Sequence, residues 1–133
     1  MPSASAPPDG VKFLLILFGG GVGSLCRYLV GAALVTRYGG RFPIVGTMTI
    51  NITGSFLIGL LSTLITERYG SNPSLRPLLV IGFLGGYTTF SSFEWETYSV
   101  IRAGSFWMGM VNILGSVGFG YAAVWLGALL ARR

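Results

Sequence analysis

Histidine is absent from these 133 residues, cysteine occurs once, at Cys26, and acidic side chains number only four. No imidazole is available as a general acid, base or metal ligand, and no internal disulfide can form. Cys26 reads as a small packed thiol. Neither a nucleophile–base pair nor a metal-ligand cluster is visible, which leaves an enzyme as a remote reading. Charge of either sign is scarce: charged residues are 10% of the chain and apolar residues 52%, against about a quarter charged in an average soluble domain. A water-facing surface cannot be built from this inventory.

The charges that exist are confined. None falls between Phe42 and Thr66, between Pro77 and Phe93, or between Ala103 and Ala131. Each run, with its flanks, approaches or exceeds the roughly 20 helical residues that cross a hydrocarbon core. A further stretch from Val11 to Thr36 is interrupted only by Arg27. The expectation is an all-α integral membrane protein with one domain of four spans, at about 11–36, 42–66, 76–100 and 104–130. Residues 1–10, rich in Pro, Ser and Ala, read as a disordered tail. Helices are favoured because lipid cannot satisfy open backbone groups, and the alternating ten-residue strands of a barrel are absent. The first span is too long for the apolar core of a secretory signal and lacks a basic cluster before it.

Basic residues flank the spans. With both termini and the middle loop on one side, that side holds Lys12, Arg68, Arg76, Arg132 and Arg133, and the other holds Arg37, Arg41 and Arg102. Five against three is a weak bias, compatible with insertion in both orientations, with termini inside preferred. The net charge of +5 therefore reads as membrane flanking, and nucleic acid is a poor partner for it.

Within the spans, polar residues recur at helical spacing. Thr47, Asn51, Ser55 and Gly59 in span two, and Asn112, Ser116 and Gly120 in span four, fall every four residues and so share one slowly rotating face. Two readings stand. Small and hydroxyl residues let helices pack closely; two stripes that each carry an asparagine also suit a polar pathway, since an amide left unpaired in hydrocarbon is costly. Span three carries Gly82-Phe83-Leu84-Gly85-Gly86-Tyr87-Thr88-Thr89-Phe90-Ser91-Ser92-Phe93. Its Gly-Gly pair and four Ser/Thr hydroxyls weaken the helix interior, and interrupted helices expose carbonyls able to hold a cation. Phe90 and Phe93 lie three apart on one face, as core packing or as ring edges offered to a small anion. Glu96 follows on that side. Arg27 either snorkels or ties helices together, or it draws anions into a vestibule.

Taken together, Gly23 to Arg27, Gly46-Thr47 with Asn51 and Gly54, and the span-three segment with Glu96 resemble the Fluc/CrcB family of fluoride channels. The resemblance covers all four spans. It implies an antiparallel homodimer inserted in both orientations in the cell inner (plasma) membrane. It also implies two fluoride pathways matched by Asn51, Phe90, Phe93, Thr89 and Ser116, and passive fluoride efflux that protects against fluoride toxicity. Arg27 matches an arginine near the entrance. A structural sodium ion is implied on the backbone carbonyls of Gly85 and Thr88 from both subunits, where glycine is the residue suited to opening the helix. Asn112 stands on the same pathway where some relatives carry tyrosine, an amide in place of a phenolic donor. Two other classes stay open: a small dual-topology drug/proton exporter, which needs a protonatable acid deep in the bundle, and a membrane assembly subunit without transport.

Overall fold

The computed structural model describes residues 7–70 and 72–133. Helix α1 (Asp9–Tyr38) opens the fold. It starts inside the segment read as a tail, because Pro8 presets the backbone at φ −53° and Asp9 places a carboxylate in the first turn, where it meets Lys12 at 3.0 Å; both features favour a helix start. The remainder of that expected tail, residues 1–6, lies outside the described residues. Helix α2 (Val45–Glu67) follows a short turn. The third apolar segment is divided: α3 (Arg76–Leu84) is wound as a π-helix, α4 (Gly85–Tyr87) continues it for one turn, and α5 (Phe90–Arg102) resumes after a gap. Helix α6 (Phe106–Ala131) ends the fold. It is reached through Gly104, whose φ of +89° is a left-handed conformation that glycine adopts without a Cβ penalty.

Among the described residues there is no strand. Helices α1, α2 and α6 are each long and apolar enough to cross a membrane. At about 1.5 Å per residue, even the 23 residues of α2 reach past a hydrocarbon core about 30 Å thick. Large apolar side chains face outward along them, including Phe13, Leu17 and Phe18 on α1 and Leu114, Phe119 and Trp125 on α6. Such a surface belongs in lipid; this is an integral, multi-pass membrane protein. At one end, guanidinium groups sit over rings, Arg37 over Tyr38, Arg41 over Phe42 and Arg102 over Tyr98, at 5.6 to 5.8 Å. Aromatic and basic side chains collect in this way at a membrane boundary.

Helix α1 packs chiefly on α3, and α2 on α6. Both contacts are backbone to backbone. A Cβ at Gly23 would stand 2.0 Å from the Phe83 carbonyl oxygen, and one at Gly59 would stand 2.1 Å from that of Val124. Lipid tails are as apolar as the side chains, so helices here associate through close fit, which small residues permit. The same is true of Gly86, where a Cβ would meet the Gly20 carbonyl at 2.3 Å. Contrary to the expectation that the Gly85-Gly86 pair opens the helix, both glycines are helical. The backbone departs at Thr88 (ψ 159°) and Thr89 (φ −154°, ψ 122°), where β-branching favours the extended conformation.

Gly23→Ala is expected to lower stability by about 1–3 kcal/mol, since neither backbone can give way. Gly10→Ala, with nothing within 4 Å, serves as the comparison and should be neutral or mildly stabilising. Thermal unfolding of the two purified variants in detergent measures the difference.

Candidate functional site

An interrupted helix frees backbone donors and acceptors, and each needs a partner in apolar surroundings. Asn51, about two turns into α2, supplies two at once. Its Nδ2 donates to the Thr89 carbonyl at 3.0 Å, and its Oδ1 accepts the Thr89 N–H at 3.0 Å. A continuous helix would have sent that N–H to the Gly85 carbonyl, which is left without its helical donor. The Thr88 hydroxyl donates to the Leu84 carbonyl at 2.9 Å, and the Thr88 carbonyl accepts from Arg27 Nη1 at 3.4 Å. Arg27 thus reaches a carbonyl, one of the ties open to it on sequence grounds. Thr89 then caps α5: its Oγ1 accepts from the Ser92 N–H at 3.3 Å and donates to Ser92 Oγ at 3.0 Å. Gly54 makes room for the break, for a Cβ there would stand 2.2 Å from Thr88 Cγ2.

Two concavities flank the break and share Thr89 as a wall. The first, about 300 Å³, gathers Asn51, Ser55, Thr89, Phe90, Phe93 and Ser116. Five of the six residues expected along an anion pathway meet here. The Phe90 and Phe93 rings lie 5.8 Å apart at 44°, yet their settings differ: Phe90 is 73% exposed and Phe93 only 6%. The sixth, Asn112, is set back. It is fully buried behind Ser116, with Nδ2 donating to Thr97 Oγ1 at 3.0 Å and Oδ1 accepting from Ser116 at 3.3 Å.

The second concavity, about 480 Å³, brings together Arg27, Ser24, Thr47, Thr89, Ser92 and Glu96. Glu96 accepts a short hydrogen bond from Thr47 through Oε1, while Oε2 is buried and makes no hydrogen bond. A guanidinium and a carboxylate thus line one vestibule without being paired to each other among the described residues. The polar stripes are divided between lining and packing. In α2, Thr47, Asn51 and Ser55 line concavities while Gly59 packs. Gly120 of the α6 stripe faces Ser55 across the same seam.

Residues 14–128 match the family described as CrcB-like protein, Camphor Resistance (CrcB). The chain belongs to the CrcB-like family. Among the CrcB-like relatives, "Fluoride-specific ion channel FluC" of Solibacter usitatus (strain Ellin6076) is 64% identical over 123 residues, covering 92% of this chain and 100% of that protein. The protein of the same name from Coxiella burnetii (strain CbuK_Q154) is 49% identical over 124 residues, 92% of this chain and 99% of that one. That of Rhizobium meliloti (strain 1021) is 44% identical over 119 residues, 90% and 94%.

One contact of the site, between Thr47 and Glu96, and one residue, Thr97, were missed from the sequence. Thr47 stands in the α2 stripe, four residues before Asn51, but its partner Glu96 is 49 positions away. Thr97 donates to the Phe93 carbonyl at 2.8 Å and anchors Asn112; its place four residues after Phe93 was the available signal.

Asn51→Leu removes both bonds to Thr89 and strands part-buried backbone groups, at up to about 1–3 kcal/mol for each. Asn51→Asp keeps the acceptor for the Thr89 N–H and should fall between. Hydrogen exchange at the Thr89 amide, together with thermal unfolding, is expected to rank protection as Asn, then Asp, then Leu.

Proposed function

We propose that this chain is a fluoride-specific ion channel through which fluoride leaves the cell passively, limiting its toxicity. The observation that carries the reading is the 64% identity, over 92% of the chain, to a protein named for that activity. The site is suited to it. Fluoride holds its water strongly, so a path must offer donors and positive ring edges in exchange. Asn51 spends one amide hydrogen on Thr89 and keeps one uncommitted, while Thr89 and Ser116 carry hydroxyls to the same concavity. Phe90 and Phe93 present aromatic edges there. Arg27 supplies a positive charge to the neighbouring vestibule.

The assembly we infer is an antiparallel homodimer in the inner (plasma) membrane, each chain crossing four times with α3 to α5 as the divided crossing. The outward side of Phe90 and the shallow concavity beside it suit completion by a second copy. The weak asymmetry of flanking charge supports insertion in both orientations.

A structural sodium ion fits the residues in one respect that the geometry supplies. The Gly85 carbonyl has lost its helical donor to Asn51, and the space beside Gly85 is open. The Thr88 carbonyl is shared with a long Arg27 contact, so it is an available but contested ligand. Gly85 and Thr88 from two subunits would hold the ion through carbonyl oxygens, the ligands interrupted helices offer to sodium. When bound, it would contribute a fixed positive charge that lowers the cost of a nearby anion.

Glu96, with its buried and unpaired Oε2, is the one feature that suits a proton-coupled exporter. Liposomes holding only this protein separate the readings. Fluoride efflux without a proton gradient, with chloride retained, is expected. Chloride release without fluoride preference, or transport only under an imposed proton gradient, would overturn the channel. In the same assay Phe90→Leu and Phe93→Leu should each slow fluoride release by about threefold to tenfold, which corresponds to losing the aromatic part of one contact. Wild-type rates at equal protein density would leave the rings as packing.

Dual insertion has a separate readout. Asn72→Cys in a Cys26→Ser background should be labelled by an impermeant maleimide from either membrane face. Labelling from one face alone would mean a single orientation.

A further inference from the structure

Asn112 is a primary amide at 0% exposure, where every donor and acceptor must be matched from within the protein. Thr97 Oγ1 donates its one hydrogen to the Phe93 carbonyl at 2.8 Å and so accepts from Asn112 Nδ2 at 3.0 Å. The amide therefore turns Oδ1 toward Ser116, whose hydroxyl hydrogen goes inward to it at 3.3 Å. In this setting Ser116, the member of the chain that lines the concavity, shows an anion only lone pairs. Turning its hydrogen outward would strand Oδ1 of Asn112, a buried acceptor without a donor.

The same atoms have a second complete setting. If the Asn112 amide turns over, Nδ2 donates to Ser116 Oγ and Oδ1 accepts the Thr97 hydroxyl. Thr97 then leaves the Phe93 carbonyl, which keeps the helical N–H of α5. Each polar atom keeps at least one partner, as in the first setting, and the Ser116 hydrogen faces the concavity. Leucine could take part in neither setting, and a carboxylate lacks the donor that the first and second both use.

We propose that Asn112 is a positioning residue which, with Thr97, reverses the direction of this relay so that Ser116 donates its hydroxyl to a passing fluoride. Asn112 itself touches no ion. The inference rests on the fluoride pathway running past Ser116, and the tests keep the two apart.

Thr97→Val removes the hydroxyl that changes partners, and is expected to slow fluoride efflux from liposomes by about fivefold to tenfold. Thr97→Ser should recover most of that loss. In a Ser116→Ala background, itself slower than wild type, Thr97→Val should add nothing. An equal further loss there would overturn the relay and leave the pathway standing, whereas wild-type flux in Ser116→Ala would overturn the pathway at that residue. A spectroscopic arm needs no change at Thr97. With ¹⁵N-asparagine in the reconstituted protein, the Asn112 side-chain resonance, identified by its loss in Asn112→Leu, should shift on adding sodium fluoride and stay fixed in Ser116→Ala. A resonance that fluoride leaves unmoved in the unaltered chain would overturn the proposal.

Discussion

A backbone that leaves its helix inside an apolar medium must re-pair every N–H and C=O it frees, and the centre of this protein is organised by that requirement. Thr88 and Thr89 depart from the helix, and side chains answer for the polar atoms of both. Asn51 takes both the N–H and the carbonyl of Thr89. Arg27 reaches the carbonyl of Thr88, whose own hydroxyl returns to Leu84. The Thr89 side chain restarts α5 by accepting the Ser92 N–H. The break is thus specified by residues from α1 and α2 and by its own two threonines.

Close backbone approach lets those residues reach. Glycines at 19, 23 and 86 bring α1 against α3 and α4, so that Arg27, one turn beyond Gly23, lies near the Thr88 carbonyl. Gly54, three residues after Asn51, lets the Thr88 methyl sit against α2. Without it the Asn51 amide would be held off the strand-like segment it pairs with. Packing and chemistry are therefore not separable along α2. The same stripe carries the amide, the hydroxyl that holds Glu96 and the small residue that admits α6.

The helical segments were legible because charge is excluded from lipid, and exclusion leaves long runs that any reader of the sequence can see. The α2 and α6 segments begin and end within a few residues of the charge-free stretches, and α3 begins at one, while α5 runs on past Glu94 and Glu96 to Arg102. The interruption was legible as a region but not as a position: Gly-Gly suggested the opening, yet both glycines stay helical and Gly86 is spent on contact with α1, a need that arises only once α1 is in place. Asn51, Phe90, Phe93, Thr89 and Ser116 line one concavity; spacing revealed the stripes of Asn51 and Ser116 and the Phe90–Phe93 pair, and it was the family resemblance that joined the five. The depth of Asn112, the Thr97 hydroxyl beneath it and the Thr47 to Glu96 bond were not legible. They depend on which faces of distant helices meet.

Both hydroxyls that the channel reading assigns to fluoride are already bound to the protein, Thr89 to Ser92 and Ser116 to Asn112, while Asn51 holds the Thr89 carbonyl with one hydrogen and keeps the other free. At the hydroxyls an arriving ion therefore exchanges one hydrogen bond for another. The free energy of each site is a difference between two bonds of similar kind, on the order of 1 kcal/mol for neutral groups, with the ion's charge tipping the balance. A pore lined with free donors would bind so small an anion deeply and release it slowly. Donors that return to the protein after the ion leaves keep each site shallow, and conduction asks for sites favourable enough to enter and weak enough to leave.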